Sequence, residues 1–275
     1  WWIISSFIVI NHFLVIFYII PFHFCVTWQL YVWGFTMGWL QLLGITGNRY
    51  TSPTRFWIGG YHRLWSHRAF AAGLGTRIFL ALIGTASFQG SIKWWVLRHR
   101  MHHRFTDTEY DPYDARRGLW YTHFGWLLEK PKFYNKVHLI HMKDVLSDPV
   151  VEMQSKYIGW GYVWFGFVMP ALIGYYYEDT IGGFMWAGVF ARIISWNGIF
   201  SVNSLSHWMG SARYSDQCSA RGNLLCAILG NGEGNHSYHH AFPKDYRHGV
   251  QWYEWDPTKW TVYVLSLLGL TSDLW

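Results

Sequence analysis

Histidines are the residues of this chain whose type and spacing point to chemistry. Nine of the 15 histidines form four clusters: His62 and His67; His99, His102 and His103; His207; His236, His239 and His240. Both triplets have the spacing i, i+3, i+4, which projects side chains from one face of a helix and would let three imidazoles converge on one point. Imidazole binds iron, copper, nickel and zinc, and nine ligands are about what two adjacent metal ions need. The clusters predict a di-metal site and not a set of core histidines.

The first pair, His62 and His67, does not fit that helical pattern. Residues i and i+5 point about 140° apart on a regular helix, so they do not share a face. Two alternatives stay open at this point. Either the two imidazoles serve different metal ions, or the helix is distorted between them.

Charged residues surround the triplet His99, His102 and His103, and the basic and the acidic residues each have two interpretations. Three arginines alternate with its histidines, at Arg98, Arg100 and Arg104. They either disfavour the imidazolium form and so keep histidine competent to bind metal, or they form the solvated face of a basic helix. The acidic residues that follow are Asp107, Glu109, Asp111 and Asp114. They either accept hydrogen bonds from ligand imidazoles or cap and turn the chain, and turning is our interpretation for Glu109.

The composition indicates a membrane as the setting for these clusters. The chain has 275 residues and is 51% hydrophobic but only 14% charged, against about 25% charged in a soluble domain. Apolar stretches cover residues 1–23, 25–46, 157–177 and 181–205, and each reaches the roughly 20 residues that cross a bilayer. Residues 1–20 lack a basic leader and a small-residue cleavage site, so we interpret them as a span and not as a signal peptide. We predict an all-α membrane protein with one domain, 1–275, and four transmembrane helices in two hairpins.

The distribution of positive charge predicts the orientation. Of the 22 Lys and Arg residues, 16 lie in 47–156, five lie in 206–275, and the last is Arg192. Positive residues favour the cytosolic side, so both large segments form a cytosolic helical cap and both termini are cytosolic. All nine histidines can then meet at one membrane face. The net charge of +6 also predicts attraction to anionic lipid or to a polyanionic substrate, and no nucleic-acid motif is present.

In combination, these motifs resemble the histidine boxes of the membrane-bound acyl-CoA desaturases, the stearoyl-CoA desaturase family. The motifs are His62-Arg-Leu-Trp-Ser-His67, His99-Arg-Met-His-His103, Asn203-Ser-Leu-Ser-His207 and Gly232-Glu-Gly-Asn-His-Ser-Tyr-His-His240. Segments 111–120 and 255–260 are similar to the fungal delta-9 enzymes in particular. The resemblance implies four transmembrane helices under a cytosolic cap, and two iron ions (Fe2+) held by the nine histidines. It also implies that Asn203 meets one metal through water, and that a bent tunnel holds the acyl chain. Zinc is the alternative occupant in a purified sample.

The resemblance also supplies candidate substrate contacts. Gln89 and Trp95 match residues that line the tunnel bend, and Ile199 stands where animal enzymes carry a threonine there. Leu97 and Arg98 replace an Arg-Asp pair thought to touch CoA. Gly38 and Leu42, one turn apart on the second span, either set the depth of the tunnel or simply pack. The full predicted set is Gln89, Trp95, Ile199, Gly38, Leu42, Arg98 and Lys130.

The chain departs from the family pattern in two further ways. Residues 47–58 intervene before the first histidine box, about a dozen more than the family usually has, and they would place the second span differently relative to His62. Nothing reads His-Pro-Gly-Gly, the signature of the cytochrome b5 domain fused to many fungal relatives. We therefore expect a separate cytochrome b5 and its reductase as partners.

The predicted function is an acyl-CoA delta-9 desaturase at the endoplasmic reticulum membrane. It would introduce a cis double bond into a long-chain saturated acyl-CoA, using O2 and electrons from cytochrome b5, in unsaturated fatty acid biosynthesis. Metal chemistry supplies the oxidant, while the protein holds the correct carbon and excludes water. The alternatives are a di-iron hydroxylase, an acyl-lipid desaturase, and a membrane metal carrier or sensor. A carrier should have ionisable residues within its spans, where only Arg192, His12 and His23 lie.

Overall fold

The structure is a computed structural model that describes residues 2–22, 26–46, 60–69, 73–267 and 274. Within these residues the regular structure is helical, and the only β-type pairing is two isolated bridges from Gly222, to Ser211 and to Asn235. The α-helices of six or more residues, counted through their π turns, are α1 (2–22), α2 (Trp28–Thr46), α3 (Leu74–Ala86), α4 (Ile92–Phe105), α5 (Pro149–Tyr176), α6 (180–204), α7 (Leu224–Leu229), α8 (His236–Ala241) and α9 (Pro257–Leu267). The prediction of an all-α chain is confirmed.

Shorter elements connect these helices. A π-helical segment, Tyr61–Ser66, lies between α2 and α3. Between α4 and α5 the chain forms one-turn pieces at Ala115–Arg117, Leu119–His123, Gly125–Leu127 and Lys143–Leu146, together with a longer 3-10 segment, Lys132–Leu139. A 3-10 turn, Leu205–His207, continues α6. Wider π turns interrupt α1 at Val15–Ile19, α5 at Trp164–Val168 and α6 at Phe184–Phe190.

Two of the described helices are long and apolar enough to cross a membrane. They are Ile3–Phe22 and Pro149–Tyr176, and they coincide with the first and third predicted spans. The second and fourth predicted spans overlap α2 and α6, which are not among these two helices. Residues 23–25 at the first hairpin and the insertion at 47–58 lie outside the described residues. The four-span topology therefore stays a prediction.

Glycines bring α2, α3 and the π-helical segment into contact. A side chain at Gly44 of α2 would clash with the backbone of α3 at Gly84, and one at Gly60 would clash with the carbonyl of Gly44. A Cβ at Gly84 would in turn clash with the ring of Tyr61. Interiors are close-packed, so contacts this tight fix the position of one backbone against another. The first residues of the π-helical segment are therefore held on the end of α2.

A buried arginine joins α1, α5 and α6. The guanidinium of Arg192 donates to Asn11 Oδ1 from Nε (3.2 Å) and Nη2 (3.0 Å) and to the Gly166 carbonyl from Nη1 (3.2 Å). A buried polar group without partners is costly, and these bonds satisfy it. They hold α1 against α6, where the two helices form part of the wall of the cavity described below.

Candidate metal centre

The nine predicted histidines lie in two groups. We call His62, His67, His99, His103 and His239 the first centre, and His102, His207, His236 and His240 the second centre. Within each group, one ring nitrogen from every member lies within 4.8 Å of the corresponding nitrogen of every other member. The two centres adjoin, since the rings of His102 and His103 are 5.7 Å apart and those of His103 and His240 are 4.3 Å apart. The structure thus brings all nine imidazoles together.

Each triplet divides between the centres. On α4, His99 and His103 join the first centre while His102 joins the second. On α8, His236 and His240 join the second centre and His239 the first. Successive helical residues turn by about 100°, so i and i+4 differ by only about 40°, while i+3 points about 100° away from i+4. The expectation that each triplet converges on one point was wrong for this reason.

The first pair reaches a single centre because the helix is distorted. Tyr61–Ser66 is π-helical, and the His67 backbone N–H donates to the His62 carbonyl at 3.2 Å, five residues back. The wider turn of a π-helix brings i and i+5 toward one face. The rings of His62 and His67 lie 5.0 Å apart. Of the two alternatives left open by the sequence, the structure has the distorted helix.

The spacing of the ring nitrogens fits metal coordination. In the first centre the Nε2–Nε2 distances are 2.6 Å for His67–His99, 2.8 Å for His103–His239 and 3.1 Å for His62–His239. In the second centre they are 3.2 Å for His102–His240 and 3.1 Å for His236–His240. Two nitrogens bound at right angles, each about 2.1 Å from a metal ion, lie roughly 3 Å apart. The donor set therefore fits two metal ions.

Burial keeps most of these imidazoles neutral. For seven of the nine histidines, burial is the largest cause of a lowered pKa, and the neighbouring imidazoles lower the pKa further. The seven are His67, His99, His103, His207, His236, His239 and His240. Neutral imidazole is the form that binds metal. Among the three arginines of α4, Arg100 contributes to the lowered pKa of His67, but as a lesser cause than burial.

A carboxylate supports each centre from behind. His62 Nδ1 lies 2.9 Å from Glu233 Oε2, and the Nδ1–H of His102 donates to Asp111 Oδ1 at 2.8 Å. His207 Nδ1 donates to Ser219 Oγ at 2.7 Å, and this hydroxyl donates to Asp107 at 2.5 Å. Such bonds fix the tautomer and aim the other nitrogen, Nε2, at the metal. Asp111 thus has the outer role that the sequence left open.

The other charged residues near α4 have structural partners. Asp114 accepts from the backbone and side chain of Arg116 and caps the turn at Ala115–Arg117. Arg100 donates to Asp144, and also to the carbonyls of Trp65 and Ser66. Arg104 is exposed and donates to the Leu139 carbonyl at 3.0 Å. Arg100 and Arg104 therefore do more than form a solvated face of the helix or disfavour the imidazolium form, because both bind other parts of the chain.

A buried ionic network underlies the first centre, and we missed most of it in the sequence. Arg63 donates to Glu233 Oε1 from Nε (3.1 Å) and Nη2 (2.9 Å), and to Asp256 from Nη2 (3.1 Å). A tenth imidazole, His248, contacts Glu233 Oε2 at 2.8 Å and stacks on His239 at 4.3 Å. Glu233 lies in the motif 232–240 and Asp256 in the segment 255–260, so an acidic residue within each motif could have indicated a partner for a buried cation. His248 stands alone and gave no such indication.

Glycine allows α8 to start against this network. Gly232 has φ +105°, a conformation that L side chains rarely adopt, and a Cβ there would meet Asp256. A Cβ at Gly234 would clash with Ala227 of α7. Only glycine accepts both the positive φ and the close approach. Glu233 is thereby placed between Arg63 and His62, immediately before the histidines of α8.

An apolar cavity of about 530 Å³ reaches the first centre. Its lining includes His99 and four of the residues singled out in the sequence: Gln89, Trp95, Ile199 and Asn203. Trp95 stacks on His99 with the ring centroids 4.9 Å apart, and its indole N–H donates to Gln89 Oε1 at 3.4 Å. Residues of α1, α5 and α6 close its sides, among them Phe7, Tyr162 and Phe200. The cavity therefore offers space for an apolar ligand beside His99 of the first centre.

The other candidate substrate contacts lie off this lining. A Cβ at Gly38 would meet Ile194 of α6 at 3.2 Å, and Leu42 packs against Gly198 of the same helix. Arg98 is buried, with its guanidinium carbon 4.2 Å from the ring centroid of Trp94, a residue that lines the cavity. Lys130 is exposed. Their roles stay predictions.

The sequence of this chain is similar to a known family profile and to several known proteins. The profile of the fatty acid desaturase family matches residues 38–263. The chain is 45% identical to Acyl-CoA desaturase 1 of Saccharomyces cerevisiae over 216 residues, which is 78% of this chain and 42% of the relative. It is 44% identical to a probable acyl-CoA desaturase of Schizosaccharomyces pombe over 218 residues, 78% of this chain and 45% of the relative. It is 36% identical to human Stearoyl-CoA desaturase 5 over 246 residues, 88% of this chain and 71% of the relative. The chain thus spans less than half the length of the two yeast proteins.

Proposed function

The chain belongs to the fatty acid desaturase family, and from this premise we propose that it is an acyl-CoA delta-9 desaturase. The reaction would place a cis double bond in a saturated long-chain acyl-CoA, as a step in unsaturated fatty acid biosynthesis. The family resemblance that we drew from the histidine motifs is confirmed. The observation that carries the proposal is the apolar cavity lined by Trp95 and His99, beside two groups of converging imidazoles.

Two iron ions, when bound by the nine histidines, supply the activation of O2 that removal of hydrogen from an unactivated methylene requires. The residues of the chain have three tasks. Asp111 accepts a hydrogen bond from Nδ1 of His102, and Glu233 lies against Nδ1 of His62, so that Nε2 of each ring stays free for the metal. Trp95, Gln89 and Ile199 orient the acyl chain, and the apolar walls exclude water. Asn203, also on the lining, would meet one metal through water.

The setting of the reaction is part of the proposal. Two helices of suitable length and composition, α1 and α5, support membrane attachment, and α2 and α6 would complete four spans. The metal centres and both termini would face the cytosol at the endoplasmic reticulum membrane. Cytochrome b5, reduced by its reductase, would supply electrons.

The test is expression in cells that cannot make unsaturated fatty acids. We expect growth to be restored and the new double bond to lie nine carbons from the carboxyl end, as located by mass spectrometry of the lipids. A product heavier by one oxygen atom would identify a hydroxylase, whereas desaturation makes the chain lighter by two hydrogens. Products found only on glycerolipids in a pulse of labelled acyl-CoA would identify an acyl-lipid desaturase. The control is the His236→Ala variant at equal membrane abundance.

A further inference from the structure

A second opening, distinct from the acyl cavity, also reaches the first centre. It is an open groove of about 430 Å³ that includes His67 and His103 in its lining. The described residues that line it and those that line the acyl cavity have no member in common. We call it the basic groove, and its other relevant members are Arg68, Arg100, Arg104 and Lys244. The first centre is therefore approached by two separate routes.

The basic groove is where the first centre comes nearest to the solvent. His62, His99 and His239 are buried, with at most 6% of their surface exposed. His67 and His103 are only partly buried, and these two are the members that line the groove. Electron transfer slows steeply with the distance between donor and acceptor. A protein that gives electrons to this centre would do so best from this face.

The groove also has an excess of positive charge. Arg68, Arg104 and Lys244 are exposed, while Arg100 is more buried. One carboxylate, Asp144, lies behind them and pairs with Arg68 at 2.6 Å and Arg100 at 2.7 Å. Four cations against one carboxylate leave an excess of three positive charges. Such a surface attracts and orients a partner with an acidic face.

We propose that the basic groove is the docking surface for the acidic face of a one-electron carrier protein. The inference rests on the proposed function, because that function creates the demand for electrons. Reduction of one O2 to two water molecules takes four electrons and four protons. The acyl chain gives up two hydrogen atoms as the double bond forms, which supplies two electrons and two protons. The carrier supplies the other two electrons, one at a time, and two protons come from water.

The separation of the two routes argues against the substrate head group as the occupant. The head group of an acyl-CoA stays attached to the acyl chain and must sit at the mouth of the acyl cavity. The groove lining includes none of that cavity's residues among those described. The groove is thus left to a partner that contacts the metal ligands from outside.

Charge reversal tests the assignment. Arg104→Glu and Lys244→Glu change exposed groove residues that belong to neither centre. With chemically reduced soluble cytochrome b5 as the probe, we expect the KM for the carrier to rise roughly tenfold at low salt for each variant. The KM for acyl-CoA should stay within about twofold, and metal content should not change. Raising the salt concentration should narrow the difference between variant and wild type, because screening weakens the attraction.

Matched controls use exposed basic residues that do not line the groove, Lys132→Glu and Arg213→Glu. They should leave the KM for the carrier within about twofold of wild type. A single turnover driven by dithionite, which needs no docking, should give equal product per metal in wild type and in all four variants.

Three results would overturn the assignment: an unchanged KM for the carrier in both groove variants, a rise in the KM for acyl-CoA instead, or a loss of the dithionite-driven turnover. Equal effects in the controls would be a fourth such result, because general surface charge would then be responsible. Absence of product from the wild-type chain with dithionite would contradict the proposed function itself, which keeps the two failures distinct.

Discussion

The two centres differ in how they are supported. Behind the first centre, Glu233 lies in a buried network that joins Arg63, Asp256 and His248, residues distant in sequence from one another. Behind the second centre, Asp111 is nine residues from His102, and Asp107 supports His207 through Ser219. The first centre thus depends on contacts between distant parts of the chain, and the second largely on the turn that follows α4. This contrast makes separate failures of the two centres measurable.

Removing a ligand should have the largest effect and should act on one centre at a time. We expect His239→Ala at the first centre, and His236→Ala or His240→Ala at the second, each to abolish product while the protein still inserts into the membrane. Bound metal should fall from two ions per chain to about one in each variant, because each substitution removes one ligand group. Metal analysis by mass spectrometry and assay of lipid products measure both. Retained turnover in any of the three would show that its histidine is not a ligand.

Replacing the carboxylate behind each centre, Glu233 or Asp111, should affect the two centres to different extents. Glu233→Gln leaves Arg63 buried beside one carboxylate instead of two. Loss of all pairing of a buried charge costs about 3–5 kcal/mol, and this is the upper limit here because Asp256 still pairs with Arg63. We expect a large fall in the free energy of unfolding together with weaker metal binding at the first centre. Asp111→Asn should weaken metal binding about 10–100-fold at the second centre, with a smaller loss of stability.

Chelator titrations and thermal unfolding of both variants in detergent give this comparison. His239→Ala and His236→Ala serve as the references that identify each centre. Equal losses of stability in the two carboxylate variants would contradict the difference in support.

Acid should destabilise both centres in the metal-free protein. Burial lowers the pKa of the seven histidines named above, and of His248 as well. Below the ordinary histidine pKa of about 6.5, the unfolded chain binds protons that the folded chain does not. Stability is therefore expected to fall as the pH drops below about 6.5, by up to about 1.4 kcal/mol per pH unit for each such histidine. Thermal unfolding of the metal-free protein between pH 7.5 and pH 5.5 measures it. A thermal unfolding midpoint that rises on acidification would contradict the interpretation that these imidazoles are neutral in the folded protein.

The smallest effect should come from the tenth imidazole. His248→Asn removes the stacking on His239 and alters the contact with Glu233, yet leaves Arg63 paired with both carboxylates. A hydrogen bond to a charged group is worth about 1.5–3 kcal/mol, so the loss of stability should be smaller than in Glu233→Gln. Metal content should stay at two ions per chain. Loss of one ion from this variant would instead make His248 a ligand.

The sequence predicted which histidines lie together better than it predicted how they are divided between the two centres. Spacing alone grouped the nine, because residue type is visible in a motif. The division of each triplet was missed, since it depends on the roughly 100° turn between i+3 and i+4 and on where the two centres lie. The π-helical turn at His62 was foreseen only as one of two alternatives. It depends on how Gly60 and Tyr61 pack against α2 and α3, which a local pattern does not contain.

The fold shows the same limit. The all-α class and the helices that match the predicted spans follow from apolar stretches of sufficient length. The network of Arg63, Glu233 and Asp256 joins residues about 170 to 190 positions apart, and no periodicity reports contacts of that range. Asp111 was recognisable as a candidate because it follows its histidine closely along the chain.

The glycine contact between α2 and the π-helical segment has a consequence for the site as a whole. Gly60 leaves no space for sliding against Gly44, and His62 follows two residues later. In the proposed four-span arrangement, a tilt of α2 in response to bilayer thickness would therefore carry His62 and His67 with it. The same contact would then set the height of the metal centres above the lipid, so a bulkier residue at Gly60 would shift which carbon of a bound acyl chain is presented for oxidation.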